Sequence, residues 1–241
     1  MTDYLTTDTG RRIAYDRLDG QGPGIVFLGG FRSDMQGSKA VHLRDWAAAQ
    51  GRAFLRFDYS GHGASDGVFE EGCIGDWAAD ARAAIEALTQ GPQVLVGSSM
   101  GGWLMLLAGL ALGDRLAGLV GIAAAPDFTE WGTDAAQKAQ LIAGRTVYED
   151  NPYGPEPTPT HALFWADGQA SLLLDTAIAI DCPVRLIHGQ ADPDVPWELS
   201  LQLSAALRSD DVQVILIKDG DHRLSRDSDI ALLLSILASL A

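Results

Sequence analysis

A short serine motif is the sharpest chemical signal in the chain. Residues 97–102 read Gly-Ser-Ser-Met-Gly-Gly, between an apolar strand pattern and an apolar helix pattern. The pattern G-x-S-x-G in this setting is typical of a serine that projects from a tight turn at the amino end of a helix. Small neighbours are required there, because the strand and the helix approach closely. Ser99 is the predicted nucleophile and Ser98 a structural neighbour; the alternative is a turn that only packs or binds a phosphate.

A serine nucleophile needs a general base, and the chain has 5 histidines. His222 follows the last strand pattern within the segment Lys-Asp-Gly-Asp-His, in a loop where such a base is expected. His42 falls inside a helix pattern and His188 ends a strand pattern, so both are interpreted as structural histidines. His161 could line a pocket but is poorly placed to act as the base. His222 is therefore the predicted base.

The base in turn needs an acid that orients its ring. The strand pattern at residues 184–188 is followed by Gly-Gln-Ala-Asp-Pro-Asp-Val-Pro, which offers two carboxylates. Asp192 is the predicted acid and Asp194 its competitor, although both could instead cap the helix that follows. The chain order of Ser99, Asp192 and His222 agrees with the order Ser…Asp…His found with this serine motif.

Two backbone N–H groups are needed to stabilise the oxyanion of such a reaction. The residue after the nucleophile, Met100, is predicted to supply one of them. The loop Gly-Gly-Phe-Arg at residues 29–32 should supply the other, with Phe31 favoured and Gly30 as the alternative. Arg32 is a candidate to contact an anionic group of a substrate, although a solvated or ion-paired arginine is the simpler interpretation.

The elements that must position these residues alternate between short apolar strands and amphipathic helices. An amino-terminal hairpin, with strands at residues 4–7 and 12–16, precedes them. The strand candidates are Gly24–Leu28, Ala53–Phe57, Val94–Gly97, Leu116–Ile122, Val184–His188 and Val212–Ile217. The helix candidates are Gly37–Gln50, Ile74–Thr89, Met100–Leu112, Trp197–Leu207 and Asp229–Leu240. This alternation predicts an α/β fold with a mostly parallel, doubly wound sheet of about eight strands.

The segment from about residue 127 to residue 175 interrupts this alternation. It has no apolar strand pattern, and it carries the aromatic residues Trp131, Tyr148, Tyr153, Phe164 and Trp165. A long insertion of this kind is typical of a cap or lid over an active site; the alternative is a surface excursion packed on its own aromatic residues. The candidate substrate-pocket residues are Arg32, Trp103, Phe164, Trp165 and Trp197, which could equally be core.

Charge and composition limit the partners of the chain. With 17 basic and 32 acidic residues its net charge is −15, which repels nucleic acids and anionic membranes. No apolar run approaches the roughly 18 residues of a membrane-spanning helix. The two cysteines, Cys73 and Cys182, fit neither a disulfide framework nor a metal site. These features, and an amino terminus without signal-like or transit-like patterning, predict a cytoplasmic protein without metal or cofactor.

Five motifs in order resemble the α/β-hydrolase superfamily. They are Gly-Gly-Phe at 29–31, Asp-x-x-Gly-x-Gly-x-Ser at 58–65, the serine motif at 97–102, Gly-x-x-Asp-x-x-Val-Pro at 189–196, and Gly-Asp-His at 220–222. More narrowly, residues 56–61, 94–99, 101–106 and 221–223 resemble the family of the mitochondrial abhydrolase-domain thioesterase. That enzyme is described as a palmitoyl-protein thioesterase and as a mycophenolic acid acyl-glucuronide esterase. The resemblance implies an esterase or thioesterase with Ser99, Asp192 and His222 as its triad.

The sequence thus predicts one α/β-hydrolase domain over residues 1–241 and a metal-free serine hydrolase. Its expected substrate is a small ester or thioester, or an acylated protein, cleaved through an acyl-enzyme on Ser99. The alternatives are perhydrolysis or C–C bond hydrolysis by the same three residues, and a non-catalytic ligand-binding module. A binding module needs neither a base nor an orienting acid, which disfavours the last of these. The sequence carries no indication of the oligomeric state.

Overall fold

A computed structural model describes residues 2–149 and 157–240 of the chain. Within these residues, eight strands form one sheet and two more form a separate small sheet. The strands are β1 (Asp3–Thr6), β2 (Arg12–Leu18), β3 (Gln21–Leu28), β4 (Arg52–Phe57), β5 (Gln93–Ser98), β6 (Leu116–Ile122), β7 (Val147–Glu149), β8 (Thr158–Thr160), β9 (Val184–Gly189) and β10 (Val212–Ile217). The α-helices are α1 (Ser38–Gln50), α2 (Ile74–Leu88), α3 (Met100–Leu112), α4 (Phe128–Trp131), α5 (Ala135–Ile142), α6 (Ala162–Ala170), α7 (Glu198–Ala206) and α8 (Asp227–Leu240).

The large sheet has the strand order β1-β2-β4-β3-β5-β6-β9-β10. The pairs β1–β2 and β2–β4 are antiparallel, and every other pair in this sheet is parallel. The predicted mostly parallel sheet of about eight strands, with an antiparallel amino-terminal hairpin, is therefore confirmed. Because the carboxyl ends of its parallel strands meet at one edge, the loops after β3, β5, β9 and β10 gather there.

Alternate residues of the central strands pack into two separate cores, one on each face of the sheet. Val26 and Leu95 belong to the core that α2 and α3 cover, whereas Ile25 and Val94 belong to the core that α1 and α8 cover. All six residues of β5 are buried, which explains why Val94, Leu95 and Val96 follow one another without polar alternation. The helices thus hold the strand that precedes Ser99 from both sides.

The segment at residues 127–175 lies between β6 and β9 and contains α4, α5, α6 and the β7–β8 hairpin. β7 and β8 pair with each other, antiparallel, and not with the large sheet. Residues 150–156, with Tyr153, lie outside the described residues. The Asp127 carboxylate accepts hydrogen bonds from the backbone N–H groups of Leu173 and Leu174, at 3.0 and 2.8 Å. These bonds join the beginning of the insertion to its end.

The structure also tests the predictions about membrane-spanning helices and cysteines. None of the described helices combines the length and the apolar composition needed to cross a membrane.

Both cysteines are free thiols, and burial raises the pKa of Cys73 to about 12 and that of Cys182 to about 11. Neither thiol is therefore a thiolate at neutral pH, the form in which cysteine reacts or binds metal.

Candidate active site

Ser99 lies at the turn between β5 and α3 with a backbone φ of 56° and ψ of −123°. A non-glycine residue at positive φ is strained, and such strain is concentrated at functional sites. Close packing holds the turn, because a Cβ added to Gly101 would lie 2.1 Å from the carbonyl oxygen of Leu28 in β3. The turn directs the Ser99 side chain toward the loops that meet at the carboxyl edge of the sheet.

His222 lies between Ser99 and Asp192 and contacts both side chains. Its Nε2 is 3.0 Å from Ser99 Oγ, and its Nδ1 is 2.8 Å from Asp192 Oδ2. The Asp192 side chain is fully buried, at 0% exposure, whereas the His222 side chain is 19% exposed. The structure thus brings the three sequence-predicted residues into one hydrogen-bonded chain that begins in a buried carboxylate and ends at a serine hydroxyl.

Asp192 is held as a carboxylate by four N–H donors. Oδ1 accepts from the backbone N–H groups of Asp194 and Val195, at 2.8 and 2.9 Å. Oδ2 accepts from His222 and from a second histidine, His188, whose Nε2 is 3.2 Å away. Burial alone would raise the pKa of Asp192, but the hydrogen bonds from the two histidines and from Val195 outweigh it and hold the pKa far below its ordinary value.

Asp194, the alternative acid, supplies its backbone N–H to Asp192 and lines the neighbouring cavity. The ligand atoms of Asp192, Asp194 and His222 lie within 4.8 Å of one another, so this group could hold a metal ion. Both Asp192 oxygens, however, already accept two N–H donors each, which fits a hydrogen-bonded carboxylate better than a metal ligand. The geometry favours Asp192 as the partner of His222.

The loop after β3 lies directly against the serine. A Cβ added to Gly30 would be 3.3 Å from Ser99 Cβ, and Phe31 and Met100 line the same cavity as Ser99. Within the described residues, the backbone N–H groups of Phe31 and Met100 donate to no protein acceptor. Phe31 and Met100 thus each offer an N–H group without a protein acceptor on the loops that line the cavity with Ser99, which fits the predicted oxyanion site.

A cavity of about 430 Å³ opens beside Ser99 and His222. Its apolar lining includes Phe31, Met100, Phe128, Leu141, Val147 and Phe164. Its polar lining includes Thr133, Gln137, Glu149, Thr158 and Thr160, all from the insertion. Among the described lining residues there are acids, Glu149 and Asp194, but neither lysine nor arginine. The cavity suits an uncharged apolar group next to the serine.

Of the five residues predicted to line a substrate pocket, the structure brings Phe164 to this cavity. Trp103 has no exposed surface, packs against Phe128 and donates its indole N–H to the Ser171 carbonyl at 3.1 Å. Trp165 donates to the Thr129 carbonyl at 3.0 Å. Neither residue lines the cavity, because both rings are turned toward backbone partners in the packing of α3 and the insertion.

Arg32 and Trp197 also lie outside the described lining of the cavity. The Arg32 guanidinium lies 5.1 Å from the centre of the Phe69 ring, in a separate surface recess that His62 also lines. Trp197 immediately precedes α7. Sequence position placed both residues near the functional loops but could not show which way their side chains point.

Three further histidines have partners other than Ser99. His42 contacts the Ser38 carbonyl within α1 at 2.8 Å, and His161 contacts Thr146 at 3.0 Å without lining the cavity. His188 is buried, as predicted for a structural histidine, but it contacts the carboxylate that His222 uses. The sequence signal that could have shown this is its position at the end of β9, four residues before Asp192.

The sequence model of the alpha/beta hydrolase family matches residues 25–231. The chain therefore belongs to the alpha/beta hydrolase family, and the predicted class of ester or thioester hydrolase is confirmed. It is 39% identical to the mitochondrial palmitoyl-protein thioesterase ABHD10 of Mus musculus over 236 residues, which are 95% of this chain and 78% of that protein. The human protein of the same name is 38% identical over 95% of this chain and 76% of its own length.

Solved structures agree with this assignment. The mouse alpha/beta hydrolase domain-containing protein 10 superposes with a TM-score of 0.93 at 39% identity, covering 100% of this chain and 98% of that chain. A protein from Agrobacterium vitis S4 has the same TM-score at 38% identity, with the same coverage of both chains. The resemblance to the abhydrolase-domain thioesterase that the sequence motifs indicate is therefore confirmed.

The predicted cytoplasmic location is wrong. The relatives at 38–39% identity are named as mitochondrial proteins, and this finding overturns the expectation. The physical reason is that free cysteines and acidic charge report on redox state and solubility, and neither property distinguishes one reducing compartment from another.

Proposed function

We propose that the chain is a serine esterase and thioesterase that forms an acyl-enzyme on Ser99. The observation that carries this proposal is the hydrogen-bonded chain from Asp192 through His222 to Ser99, which ends at an apolar cavity. A buried carboxylate, an imidazole and a serine hydroxyl in this order form the arrangement that activates a serine for attack on an acyl carbon.

In the acylation step, Ser99 Oγ attacks the acyl carbon while its proton passes to Nε2 of His222. The imidazolium that results is stabilised by Asp192, which already accepts its Nδ1–H. The tetrahedral oxyanion accepts hydrogen bonds from the N–H groups of Phe31 and Met100. When the bond between the acyl carbon and the leaving oxygen or sulfur breaks, His222 returns the proton to the leaving atom.

In the deacylation step, water attacks the acyl-enzyme carbon and gives one proton to His222. The ester bond to Ser99 then breaks, Oγ recovers the proton from His222, and a carboxylic acid is released. Each cycle consumes one water and yields one acid and one alcohol or thiol. The same residues carry both steps because the base and the oxyanion site are fixed before substrate arrives.

The insertion at residues 127–175 acts as a cap over the acyl site of a single domain. Phe128, Leu141, Val147 and Phe164 all come from this segment and give the cavity its apolar wall. Burying an apolar acyl chain there contributes about 0.8 kcal/mol for each methylene group. Since the relatives at 38–39% identity are named palmitoyl-protein thioesterases, thioesters, including those of acylated proteins, are proposed as substrates beside simple esters.

The decisive experiment is a chain-length series of p-nitrophenyl esters and matched acyl-CoA thioesters, from acetyl to palmitoyl. Wild type is compared with Ser99→Ala and with Ser98→Ala, whose hydroxyl lies next to Ser99 but outside the hydrogen-bonded chain. We expect turnover that is lost in Ser99→Ala and retained in Ser98→Ala, with a preferred chain length. A fluorophosphonate probe should label wild type and Ser98→Ala but not Ser99→Ala.

Other outcomes separate the alternatives. Labelling of Ser99 without turnover of any ester or thioester would indicate an activated serine that serves perhydrolysis or C–C bond hydrolysis. Absence of both labelling and turnover would indicate a ligand-binding module. Full activity of Ser99→Ala would refute the proposal, because another group would then have to be the nucleophile.

A further inference from the structure

His188 places a second imidazole on the carboxylate that His222 uses. Its ring lies at the end of β9, and the side chains of both His188 and Asp192 have 0% exposure. His188 Nε2 is 3.2 Å from Asp192 Oδ2, the oxygen that is 2.8 Å from Nδ1 of His222. Two histidines, one from the end of β9 and one from the loop after β10, therefore share a single carboxylate oxygen.

The partners of His188 fix the position of its proton. Nε2 faces the Asp192 carboxylate and, at 3.1 Å, the Val195 carbonyl, which are both acceptors. The proton of a neutral ring must therefore lie on Nε2. Nδ1 is then an acceptor, and it lies 2.7 Å from the hydroxyl of Ser200, which is 1% exposed. The bonds run in one direction, from Ser200 through His188 to Asp192.

We propose that His188, oriented by Ser200, is a positioning residue that fixes the Asp192 carboxylate and lowers the basicity that His222 derives from it. This inference rests on the proposed function, because it assumes that Asp192 orients His222. Oδ2 accepts a second N–H, from His188, and this donor neutralises part of the negative charge on the oxygen. The hydrogen bond that the same oxygen accepts from the Nδ1–H of His222 is therefore weaker. Without the His188 donor, the carboxylate offers its full charge to the imidazolium that His222 becomes during the reaction, so the pH profile of the rate reports whether the second donor acts.

The neighbouring charges are the same in every variant needed for a test. Charged groups on the described segments that carry this pair include Asp192 and Asp194 after β9, Asp221 and Arg223 on either side of His222, and, against the latter loop, Lys39 of α1. Lys39 donates to the Arg223 carbonyl, and burial lowers its pKa to about 8. Changes at His188 and Ser200 leave all of these groups in place.

The test compares four variants on p-nitrophenyl butyrate over the range of pH in which wild type is folded. His188→Leu removes the N–H donor, and His188→Gln keeps one at a similar reach. Ser200→Ala removes the donor to Nδ1. Ser204→Ala is the matched control, because this serine lies one turn further along α7 and makes no hydrogen bond to His188. Folding of each variant is checked by urea titration.

We expect His188→Leu to lower kcat/KM by about ten- to a hundredfold, the effect of losing one hydrogen bond to a charged group, mainly through kcat. The acidic limb of its pH profile should move to higher pH. His188→Gln should restore most of the rate and the wild-type limb, and Ser200→Ala should move both quantities in the same direction by a smaller amount. Ser204→Ala should match wild type.

A limb that stays in place in folded His188→Leu or Ser200→Ala would overturn the inference, since a merely structural histidine lowers the folded fraction without moving the limb. Where His188→Leu does not fold, Ser200→Ala decides the matter, because it is also expected to move the limb. The proposed function is tested separately by fluorophosphonate labelling of wild type. A wild type that neither labels nor turns over would remove the proposed function, and this inference with it.

Discussion

A Cβ added to Gly97 would lie 2.3 Å from the carbonyl oxygen of Gly101. Gly97 is in β5 and Gly101 is in the first turn of α3, so the two glycines of the serine motif contact each other across Ser99. The obstacle is backbone, which cannot rotate away as a side chain can. The motif thus encodes a close approach of strand and helix, and the strained conformation of Ser99 depends on it.

Gly97→Ala is therefore expected to destabilise the fold by about 3 kcal/mol or more, the upper range for overpacking a rigid site. Urea titration measures the loss. Gly37→Ala is the control, because the nearest atom to its added Cβ is 3.6 Å away. Equal stability of the two variants would show that the turn can relax and that the close approach is not required.

Asp192→Asn should lower kcat by about 10⁴-fold while the protein remains folded, as when an orienting aspartate is replaced in a serine protease. An amide N–H2 that faces His222 favours the ring form with its proton on Nε2, toward Ser99, where it cannot accept the serine proton. Asp194→Asn is the matched control two residues along the chain and should keep kcat within about threefold. Steady-state kinetics on one ester decides; the reverse ranking would assign the orienting role to Asp194.

Asp16 carries a pH-dependent part of the stability. Arg56 and Arg44 donate to its Oδ2 at 2.8 and 2.7 Å. Burial acts to raise the pKa of Asp16, but the hydrogen bonds from Arg56 and Arg44 outweigh it, so the folded-state pKa lies below the ordinary value. Its contribution is therefore complete above an unfolded pKa of about 3.9 and is lost as the pH falls through the folded value.

Asp16→Asn should cost about 3 kcal/mol at pH 7, because it leaves the Arg56 side chain, which is 8% exposed, without its carboxylate partner. The difference from wild type should shrink below about pH 4. Urea titrations at several pH values measure both effects. The control is Asp19→Asn, which removes an ion pair whose carboxylate is 90% exposed and should change stability little. A difference that is constant with pH would contradict the assigned ionisation.

Leu141→Phe should shorten the acyl chain that the enzyme prefers. Leu141 is 2% exposed and lines the cavity beside Ser99, so a larger side chain there reduces the space available to the acyl group. The next residue offers a matched control, because Ile142 is 72% exposed and Ile142→Phe adds its ring to the surface. The p-nitrophenyl ester series measures the preference, and identical profiles for both variants would remove Leu141 from the acyl site.

The sequence predicted the sheet and the hydrogen-bonded residues because their signals are local. Continuous apolar runs mark buried parallel strands, and the glycines around Ser99 mark a turn that few other residues permit. The cavity wall lacked such a signal. Leu141 and Val147 belong to a short helix and a short strand, and tertiary packing decides which face of each is buried. The aromatic residues of the insertion are not spaced with a helix or strand periodicity. Trp103, which was predicted to line the pocket, lies in the core, because a large aromatic side chain fits a core position as well as a pocket wall.

The strands that precede Ser99 and His222 differ in how firmly the sheet holds them. Ser99 follows β5, which is flanked by strands on both sides and has six buried residues, whereas His222 follows β10, an edge strand that pairs with β9 and is largely half-exposed. Opening of a sheet edge costs less free energy than global unfolding. His222 can therefore detach while the Ser99 turn stays intact, so under the proposed mechanism the protein should lose hydrolytic activity at a lower urea concentration than its helical circular dichroism.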